Sequence, residues 1–166
     1  GPSRPQDIKS LVINFTDSID PTQEISFMRL YKNSPLLENH ALLMVTTPQL
    51  QRIVDKYSHL SVVSAIEAQF SGVKIDIVML SRYSNSLWEE ILGFARRRSV
   101  PVVYHLDDNL LEIPADLGID YYNAPDRRQA MLGLISGADL VLASTEPLAR
   151  QLSSYEHKKI VHSPIY

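Results

Sequence analysis

The chain has 166 residues, no cysteine and a formal net charge of −3, a length that suits one domain burying roughly two thirds of the surface its unfolded form exposes. The absence of cysteine excludes disulfides, thiolate metal sites and cysteine nucleophiles, and the acidic balance, with no basic stripe, argues against a nucleic-acid partner. No apolar run approaches the roughly 20 residues that span a bilayer, and Gly1-Pro2 reads as the scar of a tag-removing protease, so residues 1–6 are set apart from a domain expected over 7–162.

Strand and helix patterns then alternate, which implies an α/β domain with an open, mostly parallel sheet and helices on both faces. Residues 11–15 read as the first strand, followed by a polar turn with Asp17, Asp20 and Pro21 and a helical stretch over about 23–38. Residues 41–45 form a second apolar run, and 46–57 have helical spacing through Leu50, Ile53 and Val54. The stretch 62–70 fits a strand or a short helix, and 75–80 is a clearer strand. Ser86 followed by Glu89 predicts a capping box, with Leu87, Ile91, Phe94 and Ala95 on one face of the helix that follows. Arg96, Arg97 and Arg98 close that helix, where positive charge complements the carbonyl end of the dipole; a solvated helix terminus explains them better than a phosphate site does.

Residues 100–106 read as a buried strand that stops on two adjacent acids, Asp107 and Asp108. Open α/β sheets bind ligands outside the carboxyl ends of their strands, so these acids suit a site; Leu-Asp-Asp-Asn is equally good turn chemistry. A long connection over 109–124 holds Tyr121 and Tyr122. Pro125 then suits the first turn of a helix with Met131, Leu134 and Ile135 on its apolar face and Gly137 at its end. Residues 139–143 make a further strand, Ser144 or Thr145 can cap a helix to about residue 152 with Pro147 in its first turn, and 160–162 make a last short strand before a turn or linker at 163–166. The six glycines form neither a dinucleotide fingerprint nor a phosphate-cradling loop.

Residues 76–114, DIVMLSRYSNSLWEEILGFARRRSVPVVYHLDDNLLEIP, resemble a segment in the amino-terminal domain of bacterial GT-B glycosyltransferases of surface-polysaccharide biosynthesis. The matching pieces are a strand ending in an arginine, a helix, and a strand ending in an acidic pair before an apolar stretch and a proline. Residues 137–152, GADLVLASTEPLARQL, are similar to the strand and helix near that domain's exit, and residues 26–41 are similar to the helix after its first strand. The resemblance implies one Rossmann-like half of a two-domain enzyme. That half holds a saccharide or lipid-linked saccharide acceptor, while the nucleotide-sugar donor binds a carboxyl-terminal domain absent here. It also implies a bacterial, cytoplasmic enzyme, with the full-length protein associated peripherally with the inner face of the plasma membrane, and a fragment inactive alone. No metal or other cofactor is expected. Two departures stand out: the loop Thr16-Asp17-Ser18-Ile19-Asp20 lacks the glycines that commonly follow the first strand, and His105-Leu106 precede the acidic pair.

Under that resemblance Asp107 and Asp108 are the candidate catalytic residues, as general base or as hydrogen-bond acceptors of sugar hydroxyls, and Asp17, Arg82, Tyr83 and His105 are candidate acceptor-binding residues. Each has a structural counterpart. Arg82 can form a salt bridge to Asp107 or Asp108, His105 can be a packed strand residue, and Trp88, like Tyr121 and Tyr122 a candidate for stacking on sugars, fits core packing. Two other functions suit the same residues: a GT-A glycosyltransferase using the acids as metal ligands, and a non-catalytic flavodoxin-like regulatory or interaction domain.

Overall fold

The computed structural model describes residues 10–17, 40–107, 111 and 125–162. Six strands, β1 (Ser10–Thr16), β2 (His40–Thr46), β3 (Ile77–Ser81), β4 (Val102–Leu106), β5 (Leu140–Ala143) and β6 (Ile160–His162), form one sheet in the order β2-β1-β3-β4-β5-β6. Every pairing is parallel. Five helices accompany them among the described residues: α1 (Thr47–Lys56), α2 (Val62–Gln69), α3 (Trp88–Arg97), α4 (Pro125–Gly137) and α5 (Glu146–Leu152). This is an open α/β, Rossmann-like arrangement, as the alternation predicts. The helical stretch expected over residues 23–38 and the connection over 109–124 lie, apart from Leu111, outside the described residues.

The strands carry apolar side chains on both sides because both faces of a parallel sheet are covered. On one face Ile13, Phe15, Val78, Leu80, Tyr104 and Val141 join a core to which all five helices contribute, through Leu50, Ile66, Ile91, Leu134 and Leu152 among others. On the other, Val12, Met79 and Leu142 form a smaller cluster. Towards the carboxyl end this second face turns polar: Asn14, Thr16, Ser81 and His105 are all buried, with Thr16, Ser81 and His105 in register across β1, β3 and β4. Ser81 Oγ donates to Asn14 Oδ1 at 3.1 Å, which meets part of the hydrogen-bonding need of that row.

Local chemistry explains most helix ends. Thr46 and Gln49 make a reciprocal capping box at α1. Ser61 caps α2, which resolves the ambiguous stretch as a helix, and Thr145 caps α5 with a proline in its first turn. The box expected from Ser86 and Glu89 is not formed. The residue before α3 is Leu87, with no side-chain cap, and Asn85 organises the entry instead, its Oδ1 accepting from Leu87 N–H at 3.0 Å and its carbonyl from Trp88 N–H at 3.2 Å. At the amino edge of the sheet a device recurs. Asp76 accepts from Leu11 N–H at 3.1 Å and Asp139 from Val102 N–H at 2.8 Å, so an aspartate just ahead of β3 and of β5 satisfies the start of the neighbouring strand.

Successive strands run outward from β3 to β6 in one direction, whereas β2 lies on the far side of β1. The order therefore reverses between β1 and β3, and the crevice at their carboxyl ends is where such sheets hold ligands.

Candidate functional site

The carboxyl ends of β1, β3 and β4 bring three of the expected residues to that edge: Asp17, Arg82 and Asp107. Asp108 lies outside the described residues, as do Tyr121 and Tyr122.

Arg82 and Asp107 face each other, Nε to Oδ1 at 2.8 Å, with 44% and 33% of their side chains exposed. The salt bridge anticipated from the sequence is thus formed, and it is open to water. Arg82 also has φ 51°, in the left-handed region, where a side chain costs about 1–2 kcal/mol. An exposed ion pair contributes about 0.2–1 kcal/mol, so the pair does not offset the backbone it requires. Strain of this kind concentrates at ligand sites, where the surrounding structure over-determines it.

Asp17 has a different environment. Its Oδ2 accepts from Ser84 N–H at 2.7 Å and Ser84 Oγ at 3.3 Å, its Oδ1 accepts from Thr47 Oγ1 at 3.0 Å, and Arg127 Nη1 stands 3.8 Å from Oδ2. Arg127 also donates to Ser84 Oγ at 2.9 Å. With 15% of its side chain exposed, Asp17 is a clasp joining β1, the turn after β3, and the first turns of α1 and α4. Ser84, Thr47 and Arg127 carry this arrangement, and nothing local in the sequence marks them: the contacts span 30 to 67 residues of chain.

Tyr83 and His105 are not where acceptor contact would need them. Tyr83, beyond the end of β3, is 1% exposed and packed in the main core; alternation from Leu80 would turn it to the second face, and the left-handed backbone of Arg82 breaks that alternation. Burial, then the negative charges of Asp17 and Glu90, push its hydroxyl pKa above the ordinary tyrosine value, so it stays protonated. His105 is fully buried on the second face. Burial first, and the Arg82 guanidinium second, lower its pKa from 6.5 to about 3, so the imidazole is neutral at physiological pH. Both residues support the site from within. The Tyr104 hydroxyl donates to Tyr83 O at 2.7 Å and the His105 carbonyl accepts from Arg82 N–H at 2.9 Å.

Trp88 lies in the groove between α3 and α4, its ring against Gly133, where a Cβ would overlap it; it packs, as the structural alternative predicts. The arginine run does more than end a helix. Arg97 pairs with Glu67 at 3.0 Å, and Arg98 donates to Val73 O at 2.9 Å and Phe70 O at 2.7 Å, which ties α3 to the end of α2.

Among the described residues no three His, Asp or Glu side chains gather as a metal site would need, and no helix is long and apolar enough to cross a membrane. The fold and edge define a Rossmann-like α/β domain with charged side chains at the carboxyl edge beside its topological switch point. No protein-family model matches the chain, and no curated protein matches it.

Proposed function

We propose that this chain is the acceptor-side domain of a GT-B glycosyltransferase that moves a sugar from a nucleotide-sugar donor in polysaccharide or glycoconjugate assembly. A second Rossmann-like domain supplies the donor site. The observation that carries the proposal is the meeting of Arg82 and Asp107, solvent-accessible and paired, at the carboxyl edge beside the β1/β3 switch point, together with the sequence resemblance of that segment. Asp107 receives the proton of the attacking hydroxyl, or a hydrogen bond from it, across about 3 Å. The nucleotide diphosphate leaves from the donor side. Asp17 positions the edge and does not touch the acceptor.

Transfer of labelled sugar by the full-length protein tests this, with Asp107→Asn as the informative variant. The expected loss is on the order of 100-fold or more, with the fold intact by circular dichroism. Unchanged transfer would remove Asp107 from the site.

The strand order favours one other reading, a flavodoxin-like regulatory module, since that class shares the order β2-β1-β3-β4-β5. A receiver of that class would carry its phosphorylated aspartate after β3. Here Arg82 follows Ser81, and stoichiometric labelling by a small phosphodonor would be needed to revive that alternative.

A further inference from the structure

The turn after β3 is held at three successive residues. Arg82 N–H donates to His105 O at 2.9 Å, the Tyr104 hydroxyl donates to Tyr83 O at 2.7 Å, and Ser84 N–H donates to Asp17 Oδ2 at 2.7 Å. These bonds come from β4 and from the end of β1, and they keep Arg82 at a φ that glycine adopts freely. We infer that the turn presents the Arg82 guanidinium to a phosphate group on the acceptor saccharide, which displaces Asp107 as its counter-ion. The inference rests on the reading of this edge as an acceptor site and names the chemistry of that acceptor.

Three features point to exchange rather than to a structural bridge. First, the ion pair is exposed on both sides and does not repay the strained backbone beneath it. Second, the contact runs from Nε to a single carboxylate oxygen and is not the two-bond fork with which a guanidinium grips an oxyanion. Third, the neighbouring Arg127 is engaged by Asp17 and Ser84 in a more buried setting, which leaves Arg82 as the exchangeable cation of the described edge. A phosphate monoester, near two negative charges at neutral pH, out-competes one carboxylate for the same guanidinium. Its arrival would free Asp107 to turn towards the acceptor hydroxyl, so that binding and readiness for proton removal are coupled.

The test is titration of the 166-residue chain at low salt with glucose 1-phosphate, glucose and inorganic phosphate, followed by NMR, for the wild type, Arg82→Gly and Arg82→Lys. Binding of glucose 1-phosphate should weaken at least tenfold in Arg82→Gly while its thermal midpoint holds or rises, since glycine accepts the turn without strain. Arg82→Lys should recover part of the affinity. Equal binding by wild type and Arg82→Gly, no binding by the wild type, or a glycine variant that loses stability and binding together would each overturn the inference. Inorganic phosphate bound as tightly as glucose 1-phosphate would overturn its saccharide part. The two proposals fail separately: sugar transfer that depends on Asp107 without phosphate binding sinks only this one, and Arg82-dependent binding in a protein that transfers no sugar sinks the acceptor reading while the phosphate contact of Arg82 stands.

Discussion

His105 shows how one residue in a strand can carry a consequence for the whole fold without touching a ligand. Its ordinary pKa of 6.5 falls to about 3 in the native state, so between those values the unfolded chain binds a proton that the folded chain refuses. The sign follows directly: this contribution is complete above about pH 6.5, declines as the pH falls, and levels off near pH 3. Lowering the pH from 7 to 5 should remove about 2 kcal/mol through this residue alone. Urea unfolding of the wild type and of His105→Gln across that range measures it. The variant should start less well packed but show the flatter profile, and parallel profiles would mean that His105 does not titrate on unfolding. Its packed state was legible in the sequence, because residues 100–106 read as a buried strand with a histidine inside. The inward turn of Tyr83 was not, because Tyr83 lies past the end of β3 and its direction follows from the left-handed backbone of Arg82, which no local signal in the sequence announces.

At the level of elements, the sequence is informative where local chemistry decides and misleading where two local signals compete. Continuous apolar runs located β1 to β6 to within a residue or two. Pro125 and Gly137 bounded α4 as anticipated. The stretch 62–70 stayed ambiguous because a short, mostly apolar segment fits either period, and Ser61 settles it by capping. Ser86 and Glu89 have the spacing of a capping box, but Asn85 captures Leu87 N–H first and starts α3 later. The other end of α3 offers a test. Ser99 sits at φ 54°, its N–H donating to Arg96 O and that of Val100 to Ala95 O, the two bonds of a helix terminus that normally places glycine there. Ser99→Gly should stabilise the protein by about 1 kcal/mol, read as a higher urea midpoint with an unchanged slope; a lower midpoint would show that Ser99 makes a contact that outweighs its strained backbone.

Across the whole molecule, the parts of the edge that the sequence revealed are those on strand tips, and the parts it hid are those delivered by distant helices. Asp17, Arg82 and Asp107 could be named because each directly follows a strand whose apolar run is legible in the sequence. Thr47 and Arg127 could not, because their importance lies in meeting Asp17 from the first turns of α1 and α4, which only the assembled sheet brings together. That convergence makes Asp17 a point on which four segments depend. Removing the carboxylate in Asp17→Ala strands the N–H of Ser84, a residue only 1% exposed, and takes from Arg127 the carboxylate beside it, leaving its bond to Ser84 Oγ. The expected loss is about 2–3 kcal/mol, in a single cooperative urea transition. Asp17→Asn, whose amide oxygen can still accept from Ser84 N–H, should lose distinctly less. Wild-type stability in both variants would mean that the clasp is incidental and that Arg82 owes its geometry to the β4 bonds alone.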